Sequence, residues 1–168
     1  IRIPSINPPD PSGPEMDAAR FIAGVLRAEG LDPEVIESAP GRGNVTVRLH
    51  GDGTGGDGTG GDGTGGDGTG GDALLLLSHL DVVPANAADG WTHDPFAADI
   101  ADGYVWGRGS LDDKVMVLAI MEAVEMRLAE GFQPTRTTYL AFGQDEEVRG
   151  PEGVQHIVEV LRERGVTE

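Results

Sequence analysis

Leu74-Leu75-Leu76-Leu77-Ser78-His79-Leu80-Asp81 is an apolar run that ends abruptly in an imidazole and a carboxylate. Four consecutive leucines predict a strand buried on both faces. A helix competes for any short apolar run, but Val82, Val83 and Pro84 deny it length and favour an extended chain stopping at a sheet edge. Residues two apart on such a strand point the same way, so His79 and Asp81 share a face. A carboxylate beside a ligating histidine fixes the ring tautomer and raises its basicity, which makes the pair a candidate for metal binding. The competing reading is a hydrogen-bonded core histidine.

Upstream, residues 1–14 are proline-rich and read as an irregular lead-in. Ser12 and Glu15 have the spacing of a capping box opening a helix. Ala18, Phe21, Ile22, Val25 and Leu26 fall on one face of that helix, with Gly30 at its C-cap. Val35–Glu37 and Val45–Leu49 read as strands, the second pointing Val45, Val47 and Leu49 inward and Thr46 and Arg48 outward. From Gly51 to Gly70 the chain repeats Gly-Asp-Gly-Thr-Gly four times and continues into Gly71-Asp72 without an apolar side chain. Gly-Asp repeats resemble calcium-binding β-roll arrays, but those carry a large apolar residue in each longer unit. The favoured reading is a low-complexity loop over 51–72, a flexible connection within a hairpin between the strands on either side.

Downstream, Trp91 and Phe96 read as core or rim packing, and Ile100 and Val105 flank an Asp102-Gly103 hairpin turn. Gly107-Arg108-Gly109-Ser110-Leu111-Asp112-Asp113-Lys114 then runs into a helix whose buried side carries Val117, Ile120, Met121, Val124 and Leu128. Thr137–Phe142 alternates weakly as a strand and ends in Gly143-Gln144-Asp145-Glu146-Glu147. A last helix places Val154, Ile157, Val158 and Leu161 together, with His156 off that face as a solvated histidine. Strands alternating with helices predict an α/β layered sheet, with ligands gathering beyond the strand ends.

A chain of 168 residues supports one sizeable core. Its formal charge of -17, of which the repeats hold only five aspartates, repels phosphate backbones and anionic lipid. Nucleic acid and membranes are therefore not expected as partners, whereas divalent cations are attracted. The absence of cysteine excludes disulfides and thiolate ligands, leaving His, Asp and Glu. The chain begins at Ile1, so a preceding segment is expected to be missing. The compartment stays open, with the cytoplasm favoured.

Three strand or loop ends thus offer ligands: His79 with Asp81, Asp112 with Asp113, and Glu146 with Glu147. If they converge, one histidine and several carboxylates form a hard set suited to zinc, cobalt or manganese. Two metals about 3.5–4 Å apart polarise a carbonyl and lower the pKa of a shared water, whose proton a spare carboxylate must accept. Neighbours in an extended chain point oppositely, so one member of the Glu146-Glu147 doublet can bind metal while the other reaches the water.

Ser-His-Leu-Asp-Val-Val-Pro, Gly-Arg-Gly-Ser-Leu-Asp-Asp-Lys and Asp-Glu-Glu resemble, in order, the three signatures of the aminoacylase and carboxypeptidase S family of two-zinc exopeptidases and amidohydrolases. Trp91, Pro95-Phe96 and Ser5-Ile6-Asn7-Pro8-Pro9 also resemble it, in its carboxypeptidase S and N-acyl-amino-acid hydrolase branch. The resemblance implies a three-layer α/β/α sandwich with a mixed, mostly parallel sheet, present incompletely. It implies that His79 and Glu147 each bind one of two zinc ions and that Asp112 bridges both. Asp81 then orients the histidine, Glu146 is the general base, and the peptide bond after Asp112 is cis. Val115 and Gln144 depart from the family pattern, which bears on local packing and substrate choice.

The expectation is therefore the N-terminal part, residues 1–168, of a zinc hydrolase catalytic domain acting on small peptides or N-acyl amino acids. The family's lid, which mediates homodimerisation, is absent, so this chain is expected to be monomeric and to turn over little. The alternative is a non-catalytic acidic cation-binding module or an inactive relative.

Overall fold

The computed structural model describes residues 1–7, 15–52 and 73–166. Ser12 and nearly all of the Gly-Asp-Gly-Thr-Gly array lie outside them, so the capping box and the calcium reading are not addressed by the fold.

Helix α1 (Glu15–Ala28) leads into strands β1 (Glu34–Ala39) and β2 (Arg42–Leu49). Strand β3 (Leu74–His79), the hairpin β4 (Asp99–Ala101) and β5 (Tyr104–Trp106), helix α2 (Lys114–Ala129), strand β6 (Thr138–Gly143) and helix α3 (Val154–Glu163) follow. The main sheet runs β1-β2-β6-β3. It is mixed, as expected, but among the described strands β3 with β6 is the parallel pair, while β1 with β2 and β2 with β6 are antiparallel. The expected parallel majority is not found there.

On one face, Val45 and Val47 of β2 and Leu140 and Phe142 of β6 pack with α1 and with Val117, Ile120 and Met121 of α2. On the other, Tyr139 and Ala141 of β6 meet Ile157 and Leu161 of α3. This is the three-layer α/β/α arrangement. Full burial of Leu140 and Phe142, both at 0% exposure, is worth about 1.5–3 kcal/mol each.

The strand buried on both faces is β6, not the leucine run. Among the described strands β3 pairs only with β6 and so lies at the edge of the sheet, where Leu74, Leu75 and Leu77 remain over 40% exposed. An apolar run records that a strand is apolar, whereas burial depends on which neighbours flank it.

The hairpin expected across the repeats is also overturned. Strand β6 inserts between β2 and β3, with Leu49 and Leu74 both in register with Thr138 from opposite sides. Thr46 is buried because α3 covers the face it was expected to expose to water, while Arg48 does point outward. Helix α1 buries Ala18 and Leu26 and packs Ile22 and Val25 against the core as expected, but Phe21 is 58% exposed, and Ala19 and Ala23 are buried as well. Small alanines let α1 sit directly on β2, where a Cβ on Gly43 would lie 2.8 Å from the Ala19 Cβ.

Two expectations agree closely with the structure. Asp102 and Gly103 both take positive φ in the β4–β5 turn, as a two-residue type I′ hairpin requires. The described start of the lead-in, residues 1–7, is irregular yet anchored: Ile6 bridges Val82 in parallel, and the Ser5 Oγ donates to the Leu80 carbonyl at 2.5 Å. Among the described residues no helix is long and apolar enough to cross a membrane.

Candidate metal centre

The parallel pairing of β3 with β6 brings their C-terminal ends side by side, with His79 opposite Gly143. The Leu80 N–H continues the ladder onto the Gly143 carbonyl at 2.6 Å. Ligand-bearing loops gather at such strand ends in α/β sheets. A third segment arrives from the start of α2, where the Asp112–Asp113 peptide bond is cis, as the resemblance implies. The Ser78 Oγ donates to Asp113 Oδ2 at 2.6 Å and ties this loop to β3. Gly109, at φ 80°, closes the turn before it, and a Cβ there would stand 2.6 Å from Val82 Cγ1.

The three segments deliver His79, Asp112 and Glu147 to one place. One ligand atom from each lies within 4.8 Å of the others. His79 Nδ1 faces Asp81, 3.1 Å from its carbonyl oxygen and 3.3 Å from its carboxylate Oδ1. That leaves Nε2 pointing into the cluster, 3.0 Å from Asp112 Oδ1 and 3.8 Å from Glu146 Oε2. The side chains of Asp112 and Glu146 are largely exposed, that of His79 mostly buried, and Asp81 wholly buried.

Electrostatics favour positive charge here. Burial alone would lower the His79 pKa, but hydrogen bonds to Asp81 and Asp112 and the charges of Asp81 and Glu146 raise it to about 9. Burial raises the Glu147 carboxyl, and the nearby Asp112 charge adds to the effect. Asp81 is held below the usual carboxylate range: burial opposes its charge, yet hydrogen bonds from His79, Asn7 and the backbone of Glu147 and Glu146 prevail. One imidazole whose Nε2 faces the cluster, with two carboxylates whose oxygens lie within 4.8 Å of it and of each other, is a donor set that fits a divalent metal. Glu146 stands beside it as an acid outside the cluster.

Other histidines do not join. His93 pairs with Asp99 at 2.9 Å and stacks on Trp106, and His156 lies on α3. Trp91 packs beneath the Arg108 guanidinium, 5.3 Å from the ring centre, consistent with a packing role.

Four polar residues behind the cluster carried no site role in the motif reading. Asn7 Nδ2 donates to Asp81 Oδ2 and to Asp145 Oδ1, each at 3.0 Å. Arg42 Nη1 donates to the same Asp145 oxygen at 3.0 Å, and its Nε lies 3.5 Å from Glu15 Oε2. Glu15 is 1% exposed, and burial lifts its carboxyl to about 7 against the pull of Arg42. Asn7 had a signal, its place in the lead-in motif. Glu15 and Arg42 had none beyond residue type, since only burial sets them apart from surface charges.

The fold and this edge site define a three-layer α/β domain with a cluster of candidate metal ligands at the ends of its parallel strands. The chain belongs to the Peptidase family M20/M25/M40, whose profile matches residues 75–168. Among curated relatives it is 49% identical over 92 residues to the N-fatty-acyl-amino acid synthase/hydrolase PM20D1.1 of Danio rerio, covering 55% of this chain and 18% of that protein. It is 52% identical over 84 residues to the probable carboxypeptidase S-like 2 of Dictyostelium discoideum, covering 50% of this chain and 16% of that one. Among solved structures it is similar to human carnosine dipeptidase 1, with a TM-score of 0.76 and 25% identity over 98% of this chain and 34% of that one. The M20 family metallo-carboxypeptidase Sso-CP2 of Sulfolobus solfataricus shares the fold, with a TM-score of 0.72 at 19% identity over 98% of this chain and 33% of that chain. The matches thus span under a fifth of the length of these two curated relatives and about a third of the two solved chains.

Proposed function

We propose that the protein hydrolyses an amide bond in a small peptide or an N-acyl amino acid, as a metal-dependent hydrolase of which this chain is the N-terminal catalytic part. The observation that carries this reading is the meeting of His79, Asp112 and Glu147, with the Glu146 carboxylate beside them 3.8 Å from His79 Nε2. The names of the relatives support the substrate class: fatty-acyl amino acids in one case, and carboxypeptidase and dipeptidase substrates in others. In all of these the scissile amide adjoins a single amino acid.

His79, Asp112 and Glu147 would hold the metal, zinc in the first instance, with Asp112 the residue that would be shared if two ions bind and further ligands supplied by other parts of the protein. When bound, the metal supplies Lewis acidity that polarises the amide carbonyl and makes water more acidic. Asp81 keeps the His79 ring turned so that Nε2 faces the site. Glu146 takes a proton from the attacking water as its oxygen bonds the carbonyl carbon. It returns that proton to the amine nitrogen as the C–N bond breaks. Homodimerisation through a lid domain belongs to the same proposal, as does weak metal binding and little turnover by this chain alone.

The test is Glu146→Gln in the intact protein, assayed on dipeptides and N-acyl amino acids with zinc content measured in parallel. We expect hydrolysis to fall about 10²–10⁴-fold with zinc retained. His79→Ala is expected to lose zinc and activity together. Unchanged hydrolysis in Glu146→Gln, or no hydrolysis by the wild-type protein with zinc bound, would sink the reading.

A further inference from the structure

We propose that Asn7, backed by Arg42, is a positioning residue for this centre, tying the buried carboxylates of Asp81 and Asp145 together and so holding the turn that presents Glu146 and Glu147. The proposal rests on the hydrolase reading above for its functional meaning, but its geometry stands separately.

An asparagine amide has two N–H hydrogens, and here both are used, one on Asp81 and one on Asp145. Those carboxylates are 0% and 4% exposed. Two buried acids side by side repel unless donors lie between them. The Asn7 side chain is held in place by its own backbone, whose N–H donates to the Val82 carbonyl at 2.9 Å beside the Ile6–Val82 bridge. From the far side, Arg42 Nη1 reaches both Asp145 Oδ1 and, at 3.5 Å, the Asn7 Oδ1.

The consequence runs through the backbone. Asp81 Oδ1 accepts from the Glu146 N–H at 3.3 Å, and Oδ2 from the Glu147 N–H at 3.0 Å. Asp145 stands at φ 67°, a left-handed conformation that a short side chain sustains when its carboxylate is well bonded. Its Oδ2 accepts from the Glu152 N–H at 3.1 Å, and its carbonyl from the Gly150 N–H at 2.9 Å. Asn7 thus touches neither His79 nor the ligand cluster, yet it joins the two acids on which the direction of residues 146 and 147 depends. Aspartate at position 7 would add a third buried carboxylate. Lysine would neutralise Asp81 and weaken its hold on His79.

The experiment is residue-resolved amide hydrogen exchange on this chain, comparing wild type, Asn7→Ala and a control, Leu161→Val, which loosens the α3 side of the sheet. Rates are read relative to each variant's global stability. We expect the Glu146 and Glu147 amides to exchange at least about tenfold faster in Asn7→Ala than in the control. Zinc affinity by calorimetry should fall by a similar factor, and in the intact protein kcat should fall with KM within about twofold. Equal exchange of the two amides in Asn7→Ala and the control overturns the proposal. Should Asn7→Ala not fold, Arg42→Lys is expected to release the same amides to a smaller extent, and unchanged exchange there overturns it equally. If the intact wild-type protein binds no zinc but the amides are still released in Asn7→Ala, the hydrolase reading fails while the positioning of the turn by Asn7 holds.

Discussion

Glu15 is a single carboxyl whose environment makes it an instrument for reading the fold. Its unfolded value is near 4.5 and its folded value about 7, because burial, with Asp81 and Asp145 nearby, outweighs Arg42. Between those pH values the folded chain binds more protons than the unfolded one. Stability therefore falls as pH rises from about 4.5 to 7, by about 2–3 kcal/mol from this group. Glu15→Gln is expected to remove that slope, measured as the difference between wild-type and variant urea midpoints at pH 4.5, 6 and 8 with metal chelated. A difference that does not change with pH would show that Glu15 is charged in the folded state. Legibility divides along the same line at this scale. His79, Asp81, Asp112, Glu146 and Glu147 were nameable because each sits in a compact motif whose side-chain types carry chemistry. Glu15 was read only as part of a helix cap, Asp145 only as part of the Asp-Glu-Glu signature and Arg42 not at all, because nothing within a few residues records that a side chain is buried.

The turn from Asp145 to Gly153 is the element on which the candidate centre leans, and its glycines leave no room for a side chain. A Cβ on Gly150 would lie 1.7 Å from Asp145 Oδ2, and one on Gly153 only 1.6 Å from the Gln144 carbonyl oxygen. Gly150→Ala is expected to cost about 2–4 kcal/mol and to weaken zinc binding, since the carboxylate must leave its donors. Gly24, inside α1 with nothing within 4 Å of an added Cβ, predicts the opposite sign. Gly24→Ala is expected to add about 0.5–1 kcal/mol. Thermal or urea unfolding of the two variants checks both, and destabilisation by Gly24→Ala or tolerance of Gly150→Ala contradicts the packing described. Where an element is specified by its own residues, as at Asp102-Gly103, its form was readable. Where its face is chosen by a neighbour, as for Phe21 on α1, it was not.

Across the whole molecule, the repeats join two points that are close in space. Leu49 and Leu74 flank the same residue of β6, about 10 Å apart at ordinary strand spacing. A handful of residues suffices to span that gap. Composition reads residues 53–72 as coil, so replacing them with a single Gly-Asp-Gly-Thr-Gly unit shortens a closed loop without touching the core. The expected result is a gain of about 1 kcal/mol in urea unfolding with zinc affinity unchanged. A loss of stability, or calcium-dependent stabilisation seen only with the full array, would show that the repeats contribute structure.

The amino-acid sequence by itself determined the order of helices and strands, the hairpin turn and the chemical identity of the candidate ligands. Backbone preference, turn conformation and side-chain chemistry are local properties that each short stretch carries with it. Only the tertiary structure decided that β6 rather than the leucine run lies at the centre of the sheet, that β2 and β3 are parted, and that Asn7, Arg42 and Glu15 stand behind the cluster. Each of these depends on which distant segment arrives alongside, and burial and pairing have no meaning until it does.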